Sequence, residues 1–171
     1  MESNNIERYI QEYGKSVYSF CMYITKNKYD ADDLYQQTFL IAFQKNEIDS
    51  EKNPKSYLIT IAANVWNNVI RKKTWRKEKA DIVPIIDEEL NNIPDSNKSP
   101  EERVVQSEEE TQIRKLVVSL PDKLRAVILM YYMEDMSINE IAAALGIPAG
   151  TVKSRMNKAK KMLREKMSYD R

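Results

Sequence analysis

Apolar residues return every three or four positions over most of the chain, the spacing that lines one side of an α-helix. Ile6, Tyr9, Ile10, Tyr13, Val17, Phe20 and Ile24 form a first stripe. A second begins near Asp30, where Leu34, Thr38 and Ile41 share a face that Phe39, Ala42 and Phe43 widen. Asp30, Asp32 and Asp33 at its start suit the positive end of a helix dipole. The third opens at Asn53-Pro54, a capping residue followed by proline in the first helical position. Its buried stripe is Leu58, Ile61, Ala62, Val65 and Val69, with Thr60, Asn64, Asn67 and Arg71 on the opposite arc.

The pattern breaks over residues 79–112, where Pro84, Pro94 and Pro100 accompany clustered acids and the polar stretch NNIPDSNKSP. This composition predicts a linker, with helix resuming at Ser99-Pro100-Glu101-Glu102. Val105, Ile113, Leu116, Val117 and Leu120 mark the next helix, closed by Pro121, and Leu124, Val127, Ile128 and Tyr131 mark another. Ser137-Ile138-Asn139-Glu140 has the form of a capping box, flanked by Met136 and Ile141 as a hydrophobic staple. That helix packs through Ile141, Ala142 and Leu145 and stops at Gly146. A last helix starts at Ala149-Gly150-Thr151-Val152, giving a helix-turn-helix pattern. The expected fold is all-α: two small helical domains joined by an acidic linker, the second with the helix-turn-helix. The boundaries fall at 1–78, 79–112 and 113–171.

Composition narrows the function. The 171 residues include no histidine and one cysteine, Cys21, which leaves no histidine general base, no histidine metal ligand and no intramolecular disulfide. A single thiol fits a reducing cytosol, and the expected location is cytoplasmic. Neither a signal peptide nor a long apolar span is visible, so no membrane insertion is expected. The formal net charge of +1 conceals an alternation: −3 over residues 1–50, +6 over 51–80, −8 over 81–112 and +6 over 113–171. Two basic blocks around an acidic one suggest two polyanion-binding surfaces, although solvated helix faces can cluster in the same way.

Position on the helices weighs toward nucleic acid. Asparagine is a mediocre helix former, yet Asn64, Asn67 and Asn68 lie in one helix that runs into RKKTWRKEK. Amides can hydrogen-bond base edges; Arg71, Lys72, Lys73 and Arg76 can meet phosphates. Trp66 belongs with the apolar stripe. Trp75, among charges, suits either base stacking or capping of the bundle. In the last helix Val152, Met156, Ala159 and Leu163 form a narrow apolar stripe. Thr151 stands at its leading end, Lys153, Ser154, Asn157, Lys158, Lys161 and Arg164 spread over the other face, and Arg155 lies on the flank. A basic face led by amides and hydroxyls is what a major-groove helix needs.

The order of these segments resembles the extracytoplasmic-function (ECF) subfamily of bacterial RNA polymerase sigma factors over nearly the whole chain. YDADDLYQQTFLIAF is similar to the family's stretch that docks on the polymerase clamp, and SYLITIAANVWNNVIRKKTWRKE to the helix that recognises and opens the −10 element. LPDKLRAVILMYYMEDMSINEIAAALGIPAGTVKSRMNKAKKML resembles the region that reads the −35 element. The resemblance implies docking through Asp32, Asp33, Gln36 and Phe39, a −10 contact at Asn64, and −35 contacts at Lys153, Ser154, Arg155 and Lys158. It implies core RNA polymerase, promoter DNA and an anti-sigma factor as partners, no cofactor and no catalytic activity. Tyr57 stands where the family usually has tryptophan, and Gln37 where it has glutamate.

Two other readings compete: a stand-alone helix-turn-helix repressor or activator, and a metal-dependent nuclease built on the acids of residues 30–33. The linker invites a further expectation. Its acids, including Asp87, Glu88, Glu89 and Asp95, suit occupation of a positively lined polymerase channel, as similar sigma factors place theirs.

Overall fold

A computed structural model describes residues 2–47, 53–77 and 107–169; the expected helix start at Ser99 and linker acids Asp87, Glu88, Glu89 and Asp95 lie outside them. Seven helices and no strand occur among the described residues: α1 (Glu2–Thr25), α2 (Lys28–Lys45), α3 (Pro54–Lys77), α4 (Ser107–Val118), α5 (Asp122–Tyr132), α6 (Ile138–Leu145) and α7 (Ala149–Tyr169). The chain divides into two compact units, Met1–Leu90 and Asn91–Arg171.

In the first unit α1, α2 and α3 pack against one another. Val17, Phe20, Cys21 and Ile24 of α1 are buried with Ala31, Leu34, Phe39 and Ala42 of α2 and with Leu58, Ile59, Ala62, Ala63 and Trp66 of α3. Thr38, fully buried, satisfies its hydroxyl by donating to the Leu34 carbonyl at 2.7 Å. The α1–α2 turn is made locally. The Thr25 hydroxyl donates to the Cys21 carbonyl at 2.7 Å, and the Asn27 side chain accepts from the backbone N–H of Tyr29 and Asp30 at 2.8 and 3.2 Å. At the far end of α2, Asn46 adopts φ 51° and its N–H donates to the Ala42 carbonyl, the left-handed cap that asparagine tolerates. Asn53 caps α3, accepting from the Ser56 N–H at 3.2 Å, as the Asn-Pro pair predicts.

Some expected stripes shift. Phe43, assigned to the buried face of α2, is 46% exposed, because the helical rotation that buries Phe39 and Ala42 carries it onto the outward face with Gln36 and Leu40. Val65 and Val69 are only half-buried. In the second unit, Ile113 is 54% exposed, since α4 contributes to the core at its end and the turn beyond it, through Leu120.

That second unit is built around α5, which packs on both α6 and α7 while α4 packs on α7. Seven consecutive residues of α5, Leu124 to Met130, are buried, as befits a helix surrounded on most sides. Leu120, Leu124, Ile128 and Ala159 form a core cluster on which Met162 and Leu163 pack. Arg125 lies among these apolar residues with no exposure. Its guanidinium donates to the Leu120 carbonyl at 2.6 Å and pairs with Asp122, so it ties together the turn joining α4 to α5. Burial pulls its pKa below the ordinary arginine value, and Asp122 works against that shift.

Arg125→Ala should therefore destabilise the second unit by roughly 3 kcal/mol, because carbonyls built around a charged donor lose it. Arg125→Lys should recover only part, having no planar fork. Hydrogen exchange of the α5–α7 amides in the full chain measures both; a loss under about 1 kcal/mol for the alanine variant contradicts the assignment. Cys21 offers a second check. Burial pushes its thiol up to about 12, so at pH 8 it is protonated and inaccessible. Iodoacetamide should leave it intact in the native protein and label it after denaturation.

Candidate docking and nucleic-acid surfaces

Three helices carry the candidate residues, and on each the buried stripe decides what faces outward. On α2, burial of Ala31, Leu34, Thr38, Phe39 and Ala42 turns Tyr29, Asp33, Gln36, Leu40 and Phe43 to solvent. Their alternating steps of four and three place them on one face. Tyr29 is 83% exposed, Leu40 55% and Phe43 46%, so one aliphatic side chain and two aromatic rings flank an acid and an amide. An exposed mixed stripe of this kind has the composition of a protein-binding surface. Tyr29, Leu40 and Phe43 escaped the sequence reading because their apolar character assigned Phe43 to the core and left the other two unremarked.

Two expected docking residues have inward duties. Phe39 is buried, its ring 5.0 Å edge-on from Tyr35, which in turn meets Tyr18 at 5.6 Å. The ring expected among the docking residues thus lies in the core, where it packs α2 in place. Asp32 is half-buried and accepts a 2.6 Å hydrogen bond from the Tyr18 hydroxyl of α1. Gly14 completes this contact between helices, since a Cβ there would come within 2.9 Å of the Tyr35 hydroxyl oxygen. Asp33 and Gln36 are exposed as expected.

On α3, Asn64, Asn68, Arg71, Lys72, Trp75 and Arg76 are exposed, and Asn67 lies half-buried on the flank. Trp66 is 5% exposed and belongs to the core. Trp75, 59% exposed, presents a large part of its ring at the surface among the basic residues. Lys73 is exposed as well, but its ammonium has partners within the unit: its Nζ lies 3.0 Å from Oδ2 of Asp30 and 5.0 Å from the centroid of the Trp66 ring.

The helix-turn-helix follows its predicted construction closely. The Ser137 hydroxyl accepts from the Glu140 N–H at 3.1 Å while the Glu140 carboxylate accepts from the Ser137 N–H at 3.3 Å. Gly146 ends α6 at φ 66°, a conformation glycine adopts without steric cost. Met136 and Ile141 are both buried around the cap. In α7, Val152, Met156 and Ala159 are buried, Lys153, Ser154, Asn157, Lys158 and Lys161 are exposed, and Thr151 and Arg155 are half-buried. Two lysines of α7 are turned to the body of the unit instead. Lys160 sits 5.9 Å over the Tyr132 ring, and Lys166 donates to the Ser119 hydroxyl at 2.6 Å.

The acids of residues 30–33 diverge, Asp30 toward Lys73, Asp32 toward Tyr18 and Asp33 outward. Among the described residues no three acidic or thiol side chains converge on a point that could hold a metal ion, and none of the helices is long and apolar enough to cross a membrane.

Comparison with known proteins adds to this geometry. The family model for sigma-70 region 2 matches residues 9–76, and that for sigma-70 region 4 matches residues 110–163. The chain is 30% identical over 165 residues to the ECF RNA polymerase sigma factor SigW of Bacillus subtilis, covering 91% of this chain and 84% of that protein. It is 32% identical over 143 residues to the RNA polymerase sigma-E factor of Streptomyces antibioticus, covering 81% and 71% of the two chains. Its fold is similar to the sigma factor RpoE from Bartonella quintana, solved in complex with the anti-sigma factor NepR, at a TM-score of 0.73 and 24% identity over 98% of this chain and 99% of that one.

The α6–α7 geometry makes its own demands on stability. Ser137→Ala should cost about 1 kcal/mol, the usual loss for an N-cap hydroxyl. Gly146→Ala should cost about 1–2 kcal/mol, because an L-residue strains at that φ. Urea unfolding of the second unit followed by α6 amide exchange measures each; no change at Gly146 would contradict the left-handed cap.

Proposed function

Since the chain belongs to the ECF sigma factors of bacterial RNA polymerase, we propose how its surfaces divide the family's work. The protein is a transcription initiation factor and not an enzyme. It binds core RNA polymerase and directs initiation at promoters, recognising the −35 and −10 elements and helping to open the DNA.

In the proposed division residues 1–78 dock on polymerase and engage the −10 element, residues 113–171 read the −35 element, and residues 79–112 link them. Docking runs along the outer face of α2 through Asp33 and Gln36, extended by Tyr29, Leu40 and Phe43; Asp32 and Phe39 hold that face in position. Apolar contacts supply affinity and the carboxylate supplies orientation against a basic surface. The outer face of α3 meets the −10 strand, with Asn64, Asn67 and Asn68 offering amides to base edges, Arg71, Lys72 and Arg76 meeting phosphates, and Trp75 a ring for stacking. The leading end of α7 enters the major groove with Thr151, Lys153, Ser154, Arg155 and Asn157, while Lys158 and Lys161 reach the backbone.

What most supports this reading is the segregation on α7. One stripe of Val152, Met156 and Ala159 is buried, and the opposite face carries lysines, an amide and a hydroxyl with no acidic residue in the first turn. The site of action in this reading is the cytoplasm, where polymerase meets promoter, and an anti-sigma factor is a fitting further partner, as one is for the similar RpoE of Bartonella quintana.

In vitro transcription with core polymerase and mapping of start sites tests the whole reading: transcripts should start at a defined distance from a shared pair of elements, and absence of promoter-directed initiation would refute it. Asp33→Lys or Leu40→Ala should weaken holoenzyme assembly in a pull-down while the fold survives; unchanged assembly would displace docking from this face. Lys153→Ala or Arg155→Ala should lower −35 discrimination by ~1–3 kcal/mol per lost bidentate contact. Asn64→Ala should impair opening, and a template already melted at the −10 element should rescue it but not the α7 variants.

A further inference from the structure

The basic run of α3 reads in sequence as one phosphate-binding strip, but its members do not share a face. Taking Trp66 as the inward reference, a rotation of about 100° per residue returns Lys73 to within roughly 20° of it. Asn64, Asn68, Arg71 and Trp75 fall within roughly 40° of the opposite direction. The side chains follow this geometry. Trp66 is buried, and the Lys73 ammonium lies 5.0 Å from its ring centroid and 3.0 Å from the Asp30 carboxylate of α2. The indole face attracts the cation while Asp30 neutralises it.

We propose that Lys73 is a positioning residue and not a phosphate contact: with Asp30 and Trp66 it fastens the basic end of the −10 helix to the start of the docking helix. The Lys73 and Asp30 side chains are 49% and 36% exposed, so the pair adds little to stability. Its effect is on location. A cation that would otherwise follow the phosphates is held toward the start of α2, while the packing of α2 on α3 keeps the outward cations Arg71 and Lys72 at a fixed offset from the helix that grips polymerase. DNA is then met by a surface whose register is set by the protein–protein contact.

This inference rests on the proposed −10 role of α3, and the salt dependence of binding separates the two. The complex is holoenzyme assembled from core polymerase and the full chain, bound to a fork-junction promoter whose −10 segment is single-stranded. Each phosphate contact contributes roughly 0.7 to the slope of log affinity against log salt for a single strand. Arg71→Gln and Lys72→Gln should each flatten the slope by about that amount, and Lys73→Gln should leave it unchanged. Asp30→Ala should steepen it by about 0.7, because the released ammonium becomes available to the DNA, an effect that loss of a merely structural ion pair would not produce. The double variant Asp30→Ala/Lys73→Gln should return to the wild-type slope.

If Lys73→Gln flattens the slope as its neighbours do, the positioning role is overturned while the −10 role of α3 stands. If none of the three substitutions moves the slope, the −10 role itself fails and Lys73 is no exception to anything. An unchanged slope for Asp30→Ala also overturns the proposal, since nothing was then being withheld from the DNA.

Discussion

Each working helix has one apolar stripe, and burying it fixes the rotation of the helix about its own axis. Everything functional depends on that constraint. Once Leu58, Ile61, Ala62 and Trp66 are turned inward, Asn64 and Asn68 have no freedom to face anywhere but out. Once Val152, Met156 and Ala159 are buried, Lys153 and Asn157 are presented together. A hydrophobic driving force with no directionality thus becomes a directional device, because the helix is a rigid screw on which inside and outside positions are locked together.

Local chemistry made much of this legible in the sequence. The capping box at Ser137–Glu140, the stop at Gly146 and the Asn53-Pro54 start are short-range signals whose hydrogen bonds close within a few residues, so nothing distant can override them. The α7 stripe was equally plain, since its buried positions are apolar and its outward ones charged. Phe43, Ile113, Phe39 and Asp32 were harder. An apolar residue at the margin of a stripe can fall on either side of it, so Phe43 and Ile113 stayed ambiguous until partners were in place. Asp32 finds Tyr18 fourteen residues away on another helix, a pairing that no spacing rule announces.

Charged residues mislead in a particular way. Arginine and lysine are counted as surface groups, yet Arg125 is enclosed by the core and spends its guanidinium on backbone carbonyls and Asp122. Lys160 and Lys166 are turned toward Tyr132 and Ser119 of their own unit. Net charge over a block therefore overstates the charge offered to a polyanion. The cations that matter are those left over after the fold has used its own, and only helical phase separates the two groups.

The cap on α6 has a consequence for affinity. At eight residues α6 is far too short to persist through its own hydrogen bonding, and helices of that length in water are mostly unformed. Ser137, Glu140, Gly146 and the Met136–Ile141 contact supply from its two ends what its length cannot. The turn that aims α7 is consequently assembled before any DNA arrives, and binding incurs little ordering entropy there. Affinity scales with the fraction of molecules already in the competent shape. In the proposed reading of α7, the cap hydrogen bonds thereby raise, through that fraction, how much promoter is occupied at a given concentration of protein.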